Sequence, residues 1–567
     1  MQYKISFNPP HKWELRNASS LENTNIDNFN PYEHKLFNFD VFEYNSTNNQ
    51  ITLIHSIIKN MPKISGILVL SNSKTYGKTH NDKFYYKCIP DDKRIIPFLV
   101  PYKMKNIAFS KSYVNKYVVF KFVSWEQKHP IGELTCVIGD VNKLENFYEY
   151  QLYCKSLYAS IQDFTRAAKK KLRQTSEKTF IEDILKNYNI EDRRKTHIVY
   201  SIDPKNSKDF DDAFSFKVLE NNYYKVSVYI SNVSIWMNAL DLWESFSERI
   251  STIYLPDRKR PMLPTMLSDF LCSLQEKQTR FAFTLDLLVN QEGRIIKHSF
   301  KNTCICVKKN YRYSDDISSI ENINDFKIIL NKMNTFNKYA NQISDTHNII
   351  SYLMILMNYL SAKEFIKHKT GIFRSMKLNN DAYAPDYLPN NIQGFLRMWK
   401  SNGSKYISFE EDKIHEMLKL NEYIHITSPI RRLVDLLNMT ELQHYIGIMP
   451  FNEKSKKFHN FWTCSEKLSY INQTMQSIRK VQNECDLLTK CILEPNVLKE
   501  KYTGYVFDIM ERNDGLFQYV IFIDKLKLIN KFISYKKLEV FSFHYFKLYL
   551  FDDKDSLKQK VRYELQL

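Results

Sequence analysis

The chain has 567 residues, room for about four domains at roughly 150 residues each. Lysine and arginine number 81 against 63 acidic residues, a net charge of +18, which points to a polyanionic partner: nucleic acid first, an acidic membrane surface second. Only 11 residues are glycine, where average usage is about 7%, and this argues against a nucleotide-driven motor. The nearest approach to a phosphate loop, Asn72-Ser73-Lys74-Thr75-Tyr76-Gly77-Lys78-Thr79, has asparagine where the first glycine is needed, so it reads as an ordinary loop.

In chain order, residues 1–150 alternate short β-rich runs with polar turns, as in ITLIHSIIK (51–59), KISGILVLS (63–71) and NKYVVFKFVSW (115–125). Runs this short suggest small β-barrels of the OB type rather than helical modules. A helical linker is expected over 151–190, with the basic stretch Arg166–Arg173 as a solvated helix face or part of a phosphate track. An α/β body should fill 191–497, with strands to about 300 and helical patterns over 345–368, 408–420, 430–446 and 465–492. Residues 498–567 return to strands and predict a C-terminal OB barrel. Nine scattered cysteines, with Cys304 and Cys306 spaced as on a strand, suggest a reduced intracellular compartment rather than a disulfide framework. The N-terminal residues lack the apolar core of a signal peptide. The most apolar stretch, Ile349–Ala362, carries Asn358 and is too short to span a bilayer, so the expectation is a soluble protein without a membrane partner.

The most informative segment is His197-Ile198-Val199-Tyr200-Ser201-Ile202-Asp203-Pro204-Lys205-Asn206-Ser207-Lys208-Asp209-Phe210-Asp211-Asp212-Ala213. An apolar strand leads into Asp203, Pro204 breaks it, and three more aspartates follow within four residues. Four carboxylates this close repel one another unless a cation sits among them. Hard oxygen ligands favour Mg²⁺, with Mn²⁺ as a substitute, and two such ions can clamp the attacking and leaving oxygens of a phosphodiester. The alternatives are a solvated Asp-rich turn or a calcium loop, but the EF-hand glycine and terminal glutamate are lacking.

This segment resembles the catalytic signature of the ribonuclease II (RNB) family: Asp-Pro, four residues, then Asp-x-Asp-Asp-Ala. Two further blocks agree in order and spacing. One is Tyr254-Leu255-Pro256-Asp257-Arg258 with Pro261-Met262-Leu263-Pro264, Leu267-Ser268 and Leu271-Cys272-Ser273-Leu274; the other is Tyr423-Ile424-His425-Ile426-Thr427-Ser428-Pro429-Ile430-Arg431-Arg432 with Asp435. The resemblance covers about 190–497. It implies an α+β multidomain protein, with an α/β RNB catalytic domain between two N-terminal cold-shock-type barrels, a first, degenerate one over 1–60 and a second over 61–150, and one C-terminal OB barrel. IPDDKRIIP (89–97) and GELTCVIGDV (132–141) look most like the eukaryotic exosome-nuclease branch, whose N-terminal PIN nuclease domain has no room here.

By this resemblance Asp203, Asp209, Asp211 and Asp212 are the metal-site aspartates. Asp203 and Asp212 would be direct ligands, Asp211 the least dispensable other carboxylate, and Asp209 a supporting one. Arg431 would hold the scissile phosphate, Arg432 would join it in binding RNA, and Tyr254 and Tyr313 would stack on the terminal bases. The chain also departs from its relatives. Tyr229-Ile230-Ser231-Asn232-Val233-Ser234 stands where many have His-Ile-Ala-Asp-Val-Ser, so Asn232 lacks an acid expected near the site. Met439-Thr440 replaces His-Arg, and Thr370 sits near a base-clamping phenylalanine position, with Phe373 close by.

The implied activity is processive, Mg²⁺-dependent hydrolysis of single-stranded RNA from its 3′ end to nucleoside 5′-monophosphates, by a monomer in the cytoplasm. An exosome-like assembly is not indicated. The competing expectations are an endonuclease or DNA nuclease using the same metals, and an RNA-binding or complex-organising protein on an RNB scaffold. The excess positive charge is expected away from the aspartates, in the barrels, the Arg166–Arg173 stretch and the channel walls.

Overall fold

The computed structural model describes residues 2–8, 12–26, 29–46, 48–104, 113–337, 342–378, 385–401, 403–512, 514–554 and 557–566. They fall into two compact units. One comprises Met1–Tyr158, Leu255–Asp257 and Lys480–Leu567; the other comprises Ala159–Tyr254 and Arg258–Arg479.

The first unit holds three five-stranded sheets that share one spatial strand order, 3-2-1-4-5. The second of these (Ile64–Leu68, Phe84–Pro90, Phe98–Tyr102, Lys116–Ser124, Ile131–Asp140) closes into a barrel, because its fifth strand pairs in parallel with its third at Ile131 and Leu99. That is the five-stranded OB arrangement. Its second strand shows why the sequence folds so: Tyr86, Cys88 and Pro90 alternate inward with period two. Gly66 lets two strands approach, since a Cβ there would lie 2.8 Å from the Ile89 carbonyl oxygen. The first sheet (Gln2–Asn8, Lys12–Asn17, Asn23–Thr24, Val41–Asn45, Gln50–His55) and the last (Tyr502–Glu511, Phe517–Ile523, Leu528–Ser534, Phe543–Asp553, Lys558–Gln566) lack that closing pair among the described residues. The stretch Asn72–Thr79 is a loop with one isolated bridge, Lys78 to Phe84.

The second unit is built on strands β1 (Val199–Asp203), β2 (Asp212–Val218), β3 (Tyr224–Ser231), β4 (Thr279–Val289) and β5 (Ile295–Arg312). β2, β3 and β4 run antiparallel in succession, and β4 pairs with the first two-thirds of β5. The end of β5 then pairs in parallel with β1, which touches β2, so the hydrogen-bonded path returns on itself. Cys304 and Cys306 lie on β5, the strand their spacing predicts. Beneath the sheet packs helix α1 (Thr346–His368). The apolar stretch is therefore longer than the sequence suggests, a 23-residue helix long and apolar enough to cross a membrane. Its Ile349, Leu353, Leu356, Met357 and Phe365 are instead buried in the same core as Val226, Val228 and Leu285 of the sheet.

Asn358, the polar residue of that helix, is 2% exposed. Its amide donates to the Tyr423 hydroxyl (2.9 Å), and its carbonyl accepts the Ile426 N–H (2.9 Å). It thus pins the segment leading to Arg431 onto α1. Asn358→Leu strands a buried N–H and is expected to destabilise the fold by about 1–3 kcal/mol, read as a lower urea midpoint.

The basic stretch Arg166–Arg173 lies on the helix Gln162–Gln174, which buries Phe164 and Ala168 and turns Arg166, Lys169, Lys170 and Arg173 to solvent. The helical pattern over 408–420 is not realised. There His415 is held in backbone bridges to Met376 and Leu420, Lys419 turns at φ +56°, and only Glu416–Leu418 makes a short 3₁₀ turn. The other expected helices are present, as α1, as α2 (Leu433–Tyr445) and as Ser465–Leu493.

Candidate active site

The aspartates occupy the end of β1 (Asp203), the irregular turn that follows it (Asp209 and Asp211) and the first residue of β2 (Asp212). Pro204 ends the strand, and its carbonyl accepts the Ser207 N–H at 3.1 Å. The turn is then fastened to the Cys272-Ser273-Leu274 segment. The Ser273 hydroxyl donates to the Lys208 carbonyl (2.8 Å) and accepts the Phe210 N–H (3.0 Å), while the Leu274 N–H donates to the Phe210 carbonyl (3.0 Å). Two of the three sequence blocks therefore meet through main-chain hydrogen bonds. The third joins the first where the Ile430 N–H donates to Asp211 (3.0 Å), and its Arg431 carbonyl accepts from the Thr252 N–H and the Ser251 hydroxyl just ahead of the second block, both at 2.9 Å.

Together these segments line a cavity of about 790 Å³ that includes Asp203, Asp209, Asp211, Asp212, Tyr254, Tyr313 and Arg431. Asp203 is 8% exposed and accepts the Ser201 hydroxyl at 2.9 Å. Asp211, 3% exposed, accepts the Ile430 N–H and the Arg431 Nε, both at 3.0 Å. Asp209 accepts the Lys259 ammonium (2.9 Å) and the Tyr254 hydroxyl (3.2 Å). The Asp212 Oδ2 is buried with no hydrogen-bond partner among the described residues.

The carboxylates respond to this crowding. Burial, partly offset by Ser201 and Arg312, pushes Asp203 up to about 6. Burial also raises Asp211 to about 7 against the pull of Arg431 and the Ile430 N–H. Asp212 is raised well above the usual range by burial and by the charges of Asp203 and Asp211. Tyr313 is pushed up to about 12 by burial and by Asp212 and Asp203. Arg431 loses solvation, but Asp211, Tyr254 and Asp435 more than compensate and hold it protonated.

Tyr254 is 43% exposed, on a two-residue strand pairing with Lys259. Tyr313 follows β5, its N–H donating to the Asp203 carbonyl (3.1 Å) and its ring 5.4 Å from that of His347. Arg432 does not line the cavity. It turns toward Asp435, its Nη2 at 2.8 Å, and Asp435 also accepts the Ser428 N–H (2.8 Å), so Arg432 braces the turn that presents Arg431.

The departures at Asn232, Met439, Thr440 and Thr370 also lie outside the cavity lining. Asn232 caps a short helix by accepting the Ile235 N–H, and it shares a buried amide network with Asn302 and Gln443, which needs no charge. Thr370 donates to Glu441, Met439 is core, and the Thr440 hydroxyl donates to the Leu436 carbonyl. Lys259, Arg258 and Asp269, which the resemblance left without roles, do line the cavity. The only sequence signal for them is their place within the span of the second block, Tyr254–Leu274.

Whether these residues suit a divalent ion is decided by donor chemistry. Among the described residues no three His, Cys, Asp or Glu side chains are grouped to hold a metal by themselves. Asp203 and Asp212 nevertheless offer hard oxygen donors, one of them an orphaned buried atom, in a site where burial and repulsion disfavour bare charge. Mg²⁺ is commonly held by one or two carboxylates, with substrate phosphate and water completing its shell. The pair fits that mode.

Residues 191–321 and 309–448 match the RNB domain, and residues 85–150 match the Dis3-like cold-shock domain 2. The chain is 25% identical to ribonuclease R of Chlamydia pneumoniae over 370 residues, 52% of this chain and 55% of that protein. It is 28% identical over 251 residues to the inactive exonuclease DIS3L2 of Arabidopsis thaliana, 42% of this chain and 23% of that protein. The matched part is thus about half, or less, of these relatives' own length. In fold the chain resembles Mycoplasma genitalium RNase R solved with ribose-methylated single-stranded RNA, with a TM-score of 0.70 at 15% identity, covering 99% of this chain and 100% of the other. The chain thus carries an RNB domain over residues 191–448, preceded by a cold-shock barrel of the Dis3-like kind.

Proposed function

We propose that this chain is a divalent-metal-dependent exoribonuclease that removes nucleoside 5′-monophosphates from the 3′ end of single-stranded RNA, acting as an intracellular monomer. The observation that carries this reading is the cavity itself, which brings together Asp203, Asp212 with its buried Oδ2, the Arg431 guanidinium and two tyrosines, Tyr254 and Tyr313. The similarity to ribonuclease R and to an RNase R structure with single-stranded RNA supports it.

Asp203 and Asp212 would hold the cation. When bound, a divalent ion such as Mg²⁺ supplies Lewis-acid stabilisation of the charge that builds on phosphoryl oxygens. Arg431 offers its terminal nitrogens to two phosphate oxygens and neutralises part of that charge. Asp211, through Arg431 Nε and the Ile430 N–H, sets the direction of the guanidinium. Tyr254 and Tyr313 present rings to the terminal bases and keep them in register. Base–aromatic stacking contributes about 1–3 kcal/mol per base, so Tyr254→Ala is expected to weaken RNA binding roughly 5- to 150-fold, measured by fluorescence anisotropy in EDTA.

One relative is named inactive, which keeps an RNA-binding protein without hydrolysis as the second reading. Incubating 5′- and 3′-labelled single-stranded RNA with the chain and Mg²⁺ separates the possibilities. The expected result is progressive shortening of the 5′-labelled strand, early release of the 3′ label as mononucleotide, and arrest by EDTA reversed with excess Mg²⁺. Internal fragments would indicate an endonuclease, and intact RNA in Mg²⁺ and Mn²⁺ would favour the binding protein.

A further inference from the structure

The metal-rich aspartate cluster expected from the sequence is already half neutralised by the protein. Asp211 is paired with Arg431. Lys259 Nζ lies 2.9 Å from Asp209 Oδ1 and 2.8 Å from Asp269 Oδ1, and these two carboxylates are only 9% and 10% exposed. Asp269 lies on the π-helical turn Met266–Leu271, and its Oδ1 also accepts the Ser268 hydroxyl at 2.6 Å. Backbone pairing of Tyr254 with Lys259 fixes the base of the lysine, and the Tyr254 hydroxyl closes the set on Asp209 Oδ2. The ammonium is therefore held from three sides, by its own ladder and by two buried acids. One of its three hydrogens is left over for the cavity.

A second dication drawn to Asp209 would meet that ammonium on the same carboxylate, in a poorly solvated pocket where like charges repel strongly. Asp203 and Asp212 have no such protein cation hydrogen-bonded to them among the described residues. We propose that Lys259 stands in for a second metal ion, so that the cavity takes a single divalent cation, at Asp203 and Asp212, while Lys259 acts as a positioning residue for Asp209 and the Tyr254 hydroxyl. This deepens the metal-dependent reading above, rests on it, and replaces the two-ion clamp expected from the sequence.

The test is the number of Mn²⁺ ions bound per full-length chain, from calorimetric titration and from the electron paramagnetic resonance signal of free Mn²⁺. The wild type is expected to bind one ion, lost in Asp212→Asn. Lys259→Met should bind two, the second disappearing again when Asp209→Asn is added, and Lys259→Arg should keep one. Lys259→Gln, which preserves a hydrogen-bond donor, should also bind two and serves if the Met variant does not fold. Two ions on the wild type, or one on folded Lys259→Met and Lys259→Gln, overturns the role of Lys259 and leaves the cleavage assay free to stand. A wild type that binds none overturns the metal-dependent reading itself and this inference with it.

Discussion

Asp211→Asn is expected to lower single-turnover RNA cleavage by a factor of about 10² to 10³, the usual cost of losing one preorganised charge-stabilising donor, while RNA affinity stays within a few-fold. The reason is geometric. Asp211 uses one oxygen on the Ile430 N–H and the other on Arg431 Nε, and it is almost fully buried. An asparagine can keep the first bond, but its NH₂ then faces the Nε–H, donor against donor. The guanidinium loses both its counter-charge and its aim. Binding should survive, because removing a negative charge from a polyanion site does not weaken attraction for phosphate. Cleavage rates with excess Mg²⁺ and affinities in EDTA check the two halves separately. Undiminished cleavage would remove Asp211 from the machinery, and a parallel collapse of affinity would show that it acts through the fold.

Much of this site could be read from the chain because its chemistry is local. Asp203, Pro204, Asp209, Asp211 and Asp212 lie on the end of β1, the turn after it and the start of β2, so their crowding follows from spacing alone. Tyr254 and Arg431 could be placed only through motif resemblance, and the structure brings both to the cavity. What escaped is what depends on long-range pairing. Lys259 reads as one more charge in a basic loop until the fold sets it between Asp209, fifty residues earlier, and Asp269. Arg432, beside Arg431 in sequence, points elsewhere because Asp435 captures it from within the next helical turn. Asn232 reads as a lost acid but sits in a neutral amide network whose other members lie 70 and 211 residues away. For the fold, short β-rich runs between polar turns were enough to expect small barrels, of which the second closes among the described residues. They could not say that β5 leaves β4 to pair in parallel with β1, a partner about a hundred residues earlier.

The same distinction governs the second large effect, which lies away from the cavity. Arg193 is fully buried, and the sequence offers no sign of it. Its guanidinium makes two bonds to Asp286, at 2.8 and 2.5 Å, and its Nε donates to Glu191 at 2.8 Å. Asp286 also accepts the Ser227 hydroxyl at 2.7 Å and lies 3.4 Å from Lys225. Burial alone would raise the Asp286 carboxyl, but Arg193, Ser227 and Lys225 outweigh it and hold it down at about 2. Asp286→Asn therefore leaves a fully buried guanidinium with Glu191 alone as counter-charge and is expected to cost about 3–5 kcal/mol, a large fraction of a typical domain's total stability. Because the folded carboxyl titrates below its unfolded value of about 3.9, the stabilisation is complete above that value. It is lost as pH falls toward about 2. Urea unfolding of both proteins across this range should show a gap that is constant at neutral pH and narrows in acid. A gap that persists unchanged to the lowest pH would assign the loss to packing rather than to the ion pair.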